Sequence, residues 1–551
     1  MKFILLVLFI LVISDLKGMV SYEMDPEVTL EDGKILGKIG TTNLKRPYHA
    51  FEGIPFAKPP VRNLRFEPPE PNEKWDETLI AKTRQSNCIE GSGDGSEDCL
   101  YLNVYTPNIT GKNMSVMIWI HGGIFIYKDS SVAQFNPEYL LDEDVILVDI
   151  NYRLGIFGFL STGDMASPGN NGIKDLIMAL KWVQKNIVHF GGNPDKITLF
   201  GQSAGSASVS YLVQSKLASG LFHRAIMQSG TSLCLWSLAR EARKIAFNIG
   251  TILDIVTQNS SKLVEELKKV DSSVLHSKTK FVYSVYLAGV DVRNGLPIGP
   301  VVEPDHEGAV FTGKSHEMLS QGVFNRVPLI IGHNSQEALE ASALPGIIKL
   351  LIGKFTLYKG NFAPIDMNIN DSVKAIDVGL QIRYHYFKYK LVVGDKKDLS
   401  QFISDDQFNR PITETVRLQS QYVPVYYYVF SYQSKMGESF KRSLPGVGHS
   451  EELIYIFKKD DANTTSEDIL TRKRVIKLWT NFAKYGNPTP EEDILFENKV
   501  WVPANSGNTK EELKYFNINE TLSIAVNPNE KNLNYFKNLY NKYGNPPYDT
   551  Y

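Results

Sequence analysis

The sequence predicts an α/β fold with a mostly parallel central sheet flanked by helices, and three observations carry that expectation. Residues 116–120 (VMIWI) and 329–331 (LII) are apolar without alternation, the pattern of strands buried on both faces. Residues 197–200 (ITLF) run straight into Gly201-Gln202-Ser203-Ala204-Gly205, and residues 206–212 then read as a helix opening at the turn. Each of these runs also ends in residues capable of chemistry, where open parallel sheets gather ligands and catalytic groups.

In chain order, the first run ends in His121-Gly122-Gly123-Ile124-Phe125. Adjacent glycines let backbone N–H groups approach a substrate oxygen, so Gly122, Gly123 and Ile124 are candidate oxyanion donors. At the second run Ser203 sits between two glycines. A turn this tight leaves no room for side chains two residues to either side, which should push the hydroxyl into the open with the Ala204 N–H beside it. The third run opens into Gly332-His333-Asn334-Ser335-Gln336-Glu337, putting a carboxylate just past a strand end. Residues 423–431 (VPVYYYVFS) read as a strand, and Pro445-Gly446-Val447-Gly448-His449 then delivers a histidine on a glycine-flanked loop. His333 competes for the imidazole role, but the order Ser203, Glu337, His449 is the serine, acid, histidine order of α/β-hydrolases, unlike that of chymotrypsin or subtilisin types.

With these residues the chain resembles the type-B carboxylesterases, the cholinesterase and carboxylesterase family of α/β-hydrolases, and most of all secreted insect carboxylesterases and juvenile hormone esterases. Two long family signatures match, one from Glu97-Asp98-Cys99-Leu100-Tyr101 through Thr106-Pro107, the other from Phe190-Gly191-Gly192-Asn193-Pro194 to the elbow. Similar blocks are Phe51-Glu52-Gly53-Ile54-Pro55-Phe56-Ala57, Asn151-Tyr152-Arg153-Leu154-Gly155 and Gly169-Asn170-Asn171-Gly172. The resemblance implies Ser203 as nucleophile, His449 as general base and then acid, and Glu337 as the group orienting His449. It also implies oxyanion donors at Gly123, Ile124 and Ala204, a Ser229 hydroxyl joining the triad network, and no metal or cofactor. One of the two cysteines Cys88 and Cys99 lies in a signature whose cysteine is disulfide-bonded, so the two are expected to pair and leave Cys234 as a buried free thiol.

Departures from the family pattern narrow the substrate. Cholinesterases place an acid where this chain has Gln202 and a choline-stacking tryptophan in the disulfide loop, yet no aromatic stands between Cys88 and Cys99, so acetylcholine is set aside. Gln202, Arg65-Phe66 and the spacing from Gly446 to Glu452 are similar to juvenile hormone esterases, whereas Asp175-Leu176 stands where those carry Asp-Gln. Ile124 replaces the usual glycine or alanine and is expected to narrow the acyl side of the site.

Residues 1–18, with Lys2 before the apolar run 3–13, read as a secretory signal, leaving 19–551 as a single α/β-hydrolase domain. No other run is long enough to cross a bilayer, so a secreted protein without membrane anchor is expected. A net charge of -2 with 22% charged residues gives no electrostatic case for nucleic acid. N-x-S/T sequons at Asn108, Asn113, Asn259, Asn370, Asn463 and Asn519 are available on that route. The expected function is a serine hydrolase acting on small carboxylic esters through an acyl-enzyme. A hormone or odorant esterase is the narrower alternative, and a non-catalytic binding protein on the same scaffold is disfavoured because all three triad positions are filled.

Overall fold

The computed structural model describes residues 24–551 except 112, 128–133, 290–294, 343–361, 389, 391, 393–395, 437–443, 460–463, 508 and 510–511. The proposed leader and Asn463 lie outside the described residues.

Eleven strands form one sheet: β1 (Lys38–Thr41), β2 (Pro47–Pro55), β3 (Tyr101–Thr106), β4 (Met114–Ile120), β5 (Ile146–Ile150), β6 (Gly192–Gln202), β7 (Arg224–Gln228), β8 (Leu329–Asn334), β9 (Val425–Phe430), β10 (Lys514–Ile518) and β11 (Ser523–Val526). Their spatial order is β11-β10-β9-β8-β7-β6-β4-β5-β3-β2-β1. From β10 to β5 every pairing is parallel, and the outer pairings are antiparallel. The expected runs 116–120, 197–200 and 329–331 fall in β4, β6 and β8, and 423–431 shortens to β9.

The unbroken apolar runs are explained by two cores, one on each face. Along β4, Val116, Ile118 and Ile120 enter the core that also holds Ile173 and Leu176 of α1 (Asn171–Asn186) and Val209 and Leu212 of α2 (Ala204–Gln214). Met117 and Trp119 point the other way, into the core with Val475 and Trp479 of a helix spanning Ser466–Tyr485. A period of two with both faces covered leaves no polar position in the run 116–120. Trp119 is fully buried with its ring 4.8–5.1 Å from those of Phe135, Phe200 and Phe457; truncating it to alanine costs about 3–5 kcal/mol.

Two further features bear on the site. Arg153 reaches Asp175 of α1 through two side-chain bonds of 2.7 and 2.8 Å, both residues buried, which ties the loop after β5 to that helix. Cys88 and Cys99 are disulfide-bonded as the resemblance implies, and Cys234 is a buried free thiol pushed up to about 12 by burial. Among the described residues no helix is long and apolar enough to cross a membrane.

Candidate active site

Ser203 is the single residue between the end of β6 and the start of α2. Its φ of 59° and ψ of -126° lie where a non-glycine residue is strained. Neighbouring backbone holds it there: Ser203 N–H donates to the Gln228 carbonyl at 2.9 Å, and the Ser203 carbonyl accepts from Ala207 N–H at 2.9 Å. The flanking glycines are required by space. A Cβ on Gly205 would lie 2.0 Å from the Ile120 carbonyl oxygen, and one on Gly201 2.7 Å from the Gly205 backbone. The elbow is therefore clamped by the end of β4. Ser203 itself is only 7% exposed, so the turn does not push the hydroxyl into open solvent as expected. Chain outside the motif packs against it: a Cβ on Gly230 would lie 2.5 Å from the Ser203 carbonyl oxygen and 3.0 Å from the Trp236 ring, which is 5.9 Å from that of Phe408.

The loop after β4 packs on the elbow from the other side. A Cβ on Gly122 would meet the Gln202 carbonyl at 2.5 Å, so only glycine permits this approach. Gly123, Ile124 and Phe125 follow at φ 107°, 49° and 60°, and Ile126 and Tyr127 N–H groups donate back to the Gly123 carbonyl. Among the described residues none accepts from the N–H groups of Gly122, Gly123, Ile124 or Ala204. These unpaired donors, beside Ser203, are what an oxyanion would take up.

Glu337 stands three residues past β8 and is 1% exposed. Its Oε2 accepts from His449 Nδ1 at 2.7 Å, and Oε1 accepts from Ser229 Oγ at 2.6 Å and Asn334 N–H at 2.7 Å. Burial alone pushes this carboxyl up, but the hydrogen bond and charge of His449 and the donors Ser229 and Asn334 outweigh it and hold Glu337 below the usual range. His449 N–H also donates to the Glu337 carbonyl at 3.1 Å, so acid and base are joined through backbone and side chain. The Asn334 side chain steadies the same loop by donating to the Gly448 carbonyl and to Glu452 Oε2, both at 2.7 Å. With Nδ1 donating to Glu337, the lone pair of the neutral imidazole is on Nε2, and the Gln202 side-chain amide lies 3.2 Å from it.

Ser203, Glu337 and His449 thus gather at the carboxyl ends of β6, β8 and β9, with Ser229 attached as the resemblance implied. His333 is elsewhere engaged: buried, with Nε2 at 3.0 Å from the Tyr427 hydroxyl and Nδ1 at 2.9 Å from the Asn334 carbonyl. Two contacts were not read from the sequence. One is Gln202 on His449; the other is Phe408, whose ring centroid lies 5.0 Å from the His449 ring. Phe408 belongs to a π-helical turn, Asp405–Asn409, and one extra residue in a helix leaves no periodic signal.

A model of the Carboxylesterase family matches residues 24–536, and the chain belongs to that family. It is 35% identical over 507 residues to a juvenile hormone esterase of Tribolium castaneum, covering 85% of each chain. It is 32% identical over 540 residues to a venom carboxylesterase of Apis mellifera, covering 93% of this chain and 94% of that one. Among solved structures, that of juvenile hormone esterase from Manduca sexta with OTFP covalently attached superposes with a TM-score of 0.83 at 27% identity, over 94% of this chain and all of that one. A PNB esterase does so with 0.75 at 28% identity. The fold is that of the α/β-hydrolases, and the protein is a carboxylic ester hydrolase.

Proposed function

We propose that the protein is a secreted serine esterase that cleaves carboxylic esters through an acyl-enzyme, with Ser203 as nucleophile, His449 as base and then acid, and Glu337 as the carboxylate that orients and charges it. The observation that carries this reading is the Glu337–His449 pair: a buried, ionised carboxylate 2.7 Å from Nδ1 fixes the tautomer with the imidazole lone pair on Nε2. A serine hydroxyl cannot attack a carbonyl at neutral pH without such a base.

Ester binding brings the carbonyl oxygen to the N–H groups of Gly123, Ile124 and Ala204. Nε2 exchanges the Gln202 amide for the Ser203 hydroxyl and takes its proton as the C–O bond forms. The imidazolium is held by Glu337 and then protonates the leaving alkoxide, releasing the alcohol. Water repeats the cycle on the acyl-enzyme and returns the acid. Each oxyanion donor contributes about 2.7–4 kcal/mol to the barrier reduction in comparable sites.

Secretion is supported by the leader-like residues 1–18, the Cys88–Cys99 disulfide and exposed sequons at Asn108, Asn113, Asn259 and Asn370, with Asn519 partly exposed. Similarity to juvenile hormone esterases supports a narrower reading, an insect hormone or odorant ester as natural substrate. Both are tested by hydrolysis of an ester panel, including a long-chain epoxide methyl ester, by the purified secreted protein. A protein inert to every ester, with Ser203 unlabelled by an organophosphate, would overturn the proposal.

A further inference from the structure

The Phe408 ring stands 5.0 Å from that of His449, and what holds it there comes from distant parts of the chain. Phe408 lies in the π-helical turn Asp405–Asn409, whose looser hydrogen bonding leaves its direction to anchors outside the helix. Arg410 closes the turn, donating to the Asp406 carbonyl at 3.1 Å and to Asp406 Oδ1 at 3.2 Å. Its guanidinium is 2% exposed and lies over the Tyr551 ring, 5.6 Å from the centre. On the other side of Phe408, the Trp236 indole N–H donates to the Gln407 carbonyl at 3.0 Å. Two anchors therefore flank the ring: Gln407, held through Trp236, and Arg410, packed on Tyr551.

Residues 549–551 grip both anchors. After the exposed run 545–547 the chain turns inward, and Thr550 and Tyr551 are buried. Toward Trp236, the Tyr551 N–H donates to the Leu233 carbonyl at 3.1 Å. Arg240 binds Asp549 through two bonds of 3.0 Å and also donates to Thr550 Oγ1 at 2.6 Å and to the Leu235 carbonyl at 3.1 Å. Burial pushes the Asp549 carboxyl up, but Arg240 outweighs it and holds it below the usual range, so this pair stays charged at neutral pH. Toward Arg410, Tyr551 supplies its ring, and Thr550 Oγ1 donates at 2.8 Å to buried Asp366, whose Oδ2 is 3.9 Å from Arg410 Nη1. We propose that Thr550 and Tyr551 are positioning residues of the esterase: they set the direction of the Asp405–Asn409 turn, and through it the Phe408 ring that backs the His449 imidazole. A ring at that distance limits how far the imidazole swings as Nε2 passes a proton from Ser203 to the leaving alcohol. The inference rests on the reading of His449 as base.

The test is kcat of the full secreted chain for p-nitrophenyl acetate, expressed per active site titrated with an organophosphate so that unfolded protein does not count. Phe408→Leu and Tyr551→Leu are each expected to lower it about 2- to 30-fold, and the double variant no further than Phe408→Leu alone. Tyr551→Phe, which keeps the ring, is expected to recover the wild-type kcat. Thr550→Val, which exchanges the hydroxyl for a methyl group, is expected to follow the pattern of Tyr551→Leu and carries the same comparison should Tyr551→Leu fail to be secreted. A thermal midpoint lowered by these changes with kcat unmoved would overturn the inference. So would factors that multiply in the double variant, since contacts acting apart add in free energy. Wild-type protein that hydrolyses no ester would instead overturn the reading of His449 as base, and the inference with it.

Discussion

Replacing Glu337 by glutamine probes the proton on His449. In the native site Oε1 accepts from Ser229 Oγ and from the Asn334 N–H, while Oε2 accepts from His449 Nδ1. The serine hydroxyl can turn, but the backbone N–H cannot, so in Glu337→Gln the amide oxygen is drawn to the Asn334 side and its NH2 group faces Nδ1. Nδ1 must then accept, the imidazole proton moves to Nε2, and no lone pair is left to receive the proton of Ser203. The expected fall in kcat is about 10³- to 10⁴-fold, or about 4–5.5 kcal/mol at 1.36 kcal/mol per decade. Steady-state hydrolysis of p-nitrophenyl acetate measures it, with circular dichroism as the check on folding. Activity within tenfold of wild type would refute the tautomer argument, and a dead Glu340→Gln beside a near-normal Glu337→Gln would place the acid elsewhere.

Ser203→Ala should eliminate turnover while the protein still folds and is secreted; residual activity above a few per cent, or an organophosphate adduct mapped by mass spectrometry to another residue, would sink the nucleophile assignment. Ser229→Ala removes a donor that favours ionised Glu337, so the Glu337 pKa rises and kcat at neutral pH should fall several-fold while the protein still folds; an unchanged kcat would leave Ser229 without a role in the triad. Ile124→Gly should raise kcat/KM for bulky acyl esters relative to acetate by up to roughly 10- to 200-fold, whereas an equal loss on every ester would mean that residue 124 acts through its N–H geometry. Cys88→Ser should lower stability by about 2–4 kcal/mol, read as the shift in denaturant midpoint, and reductant should then have little further effect on that variant.

The strands and their chemistry were legible because both signals are local. Residues 116–120 and 329–331 are apolar throughout since both faces of the sheet are covered, and Gly201 and Gly205 mark the elbow since a Cβ would strike the backbone of β4. Chain order picked His449 over His333, whose ring is spent on Tyr427 and a carbonyl. Contacts made by long-range packing were not legible. Nothing in the sequence near Phe408 announces that a π-turn aims it at His449, and Gln202, noticed as a departure in the motif, gave no hint of reaching the imidazole. The exposure of Ser203 was misread for a related reason: a turn motif describes its own backbone and not the chain that packs against it from elsewhere, such as Gly230.

The spacing of the triad also bears on how the protein is made. Ser203 and its elbow depend on β4, β6, α2 and the end of β7, all complete by residue 228, while the imidazole arrives 112 residues after the acid that holds it. During synthesis the amino-terminal part of the sheet can form first, so a growing chain carries its serine long before it carries a base. On the proposed mechanism the nascent polypeptide would be inert toward esters. On that mechanism competence would arrive when β9 joins the sheet beside β8 and the loop behind it brings His449 to Glu337. A chain cut anywhere between β8 and His449 would keep its elbow and stay silent, unacylated by substrate and unmarked by organophosphate.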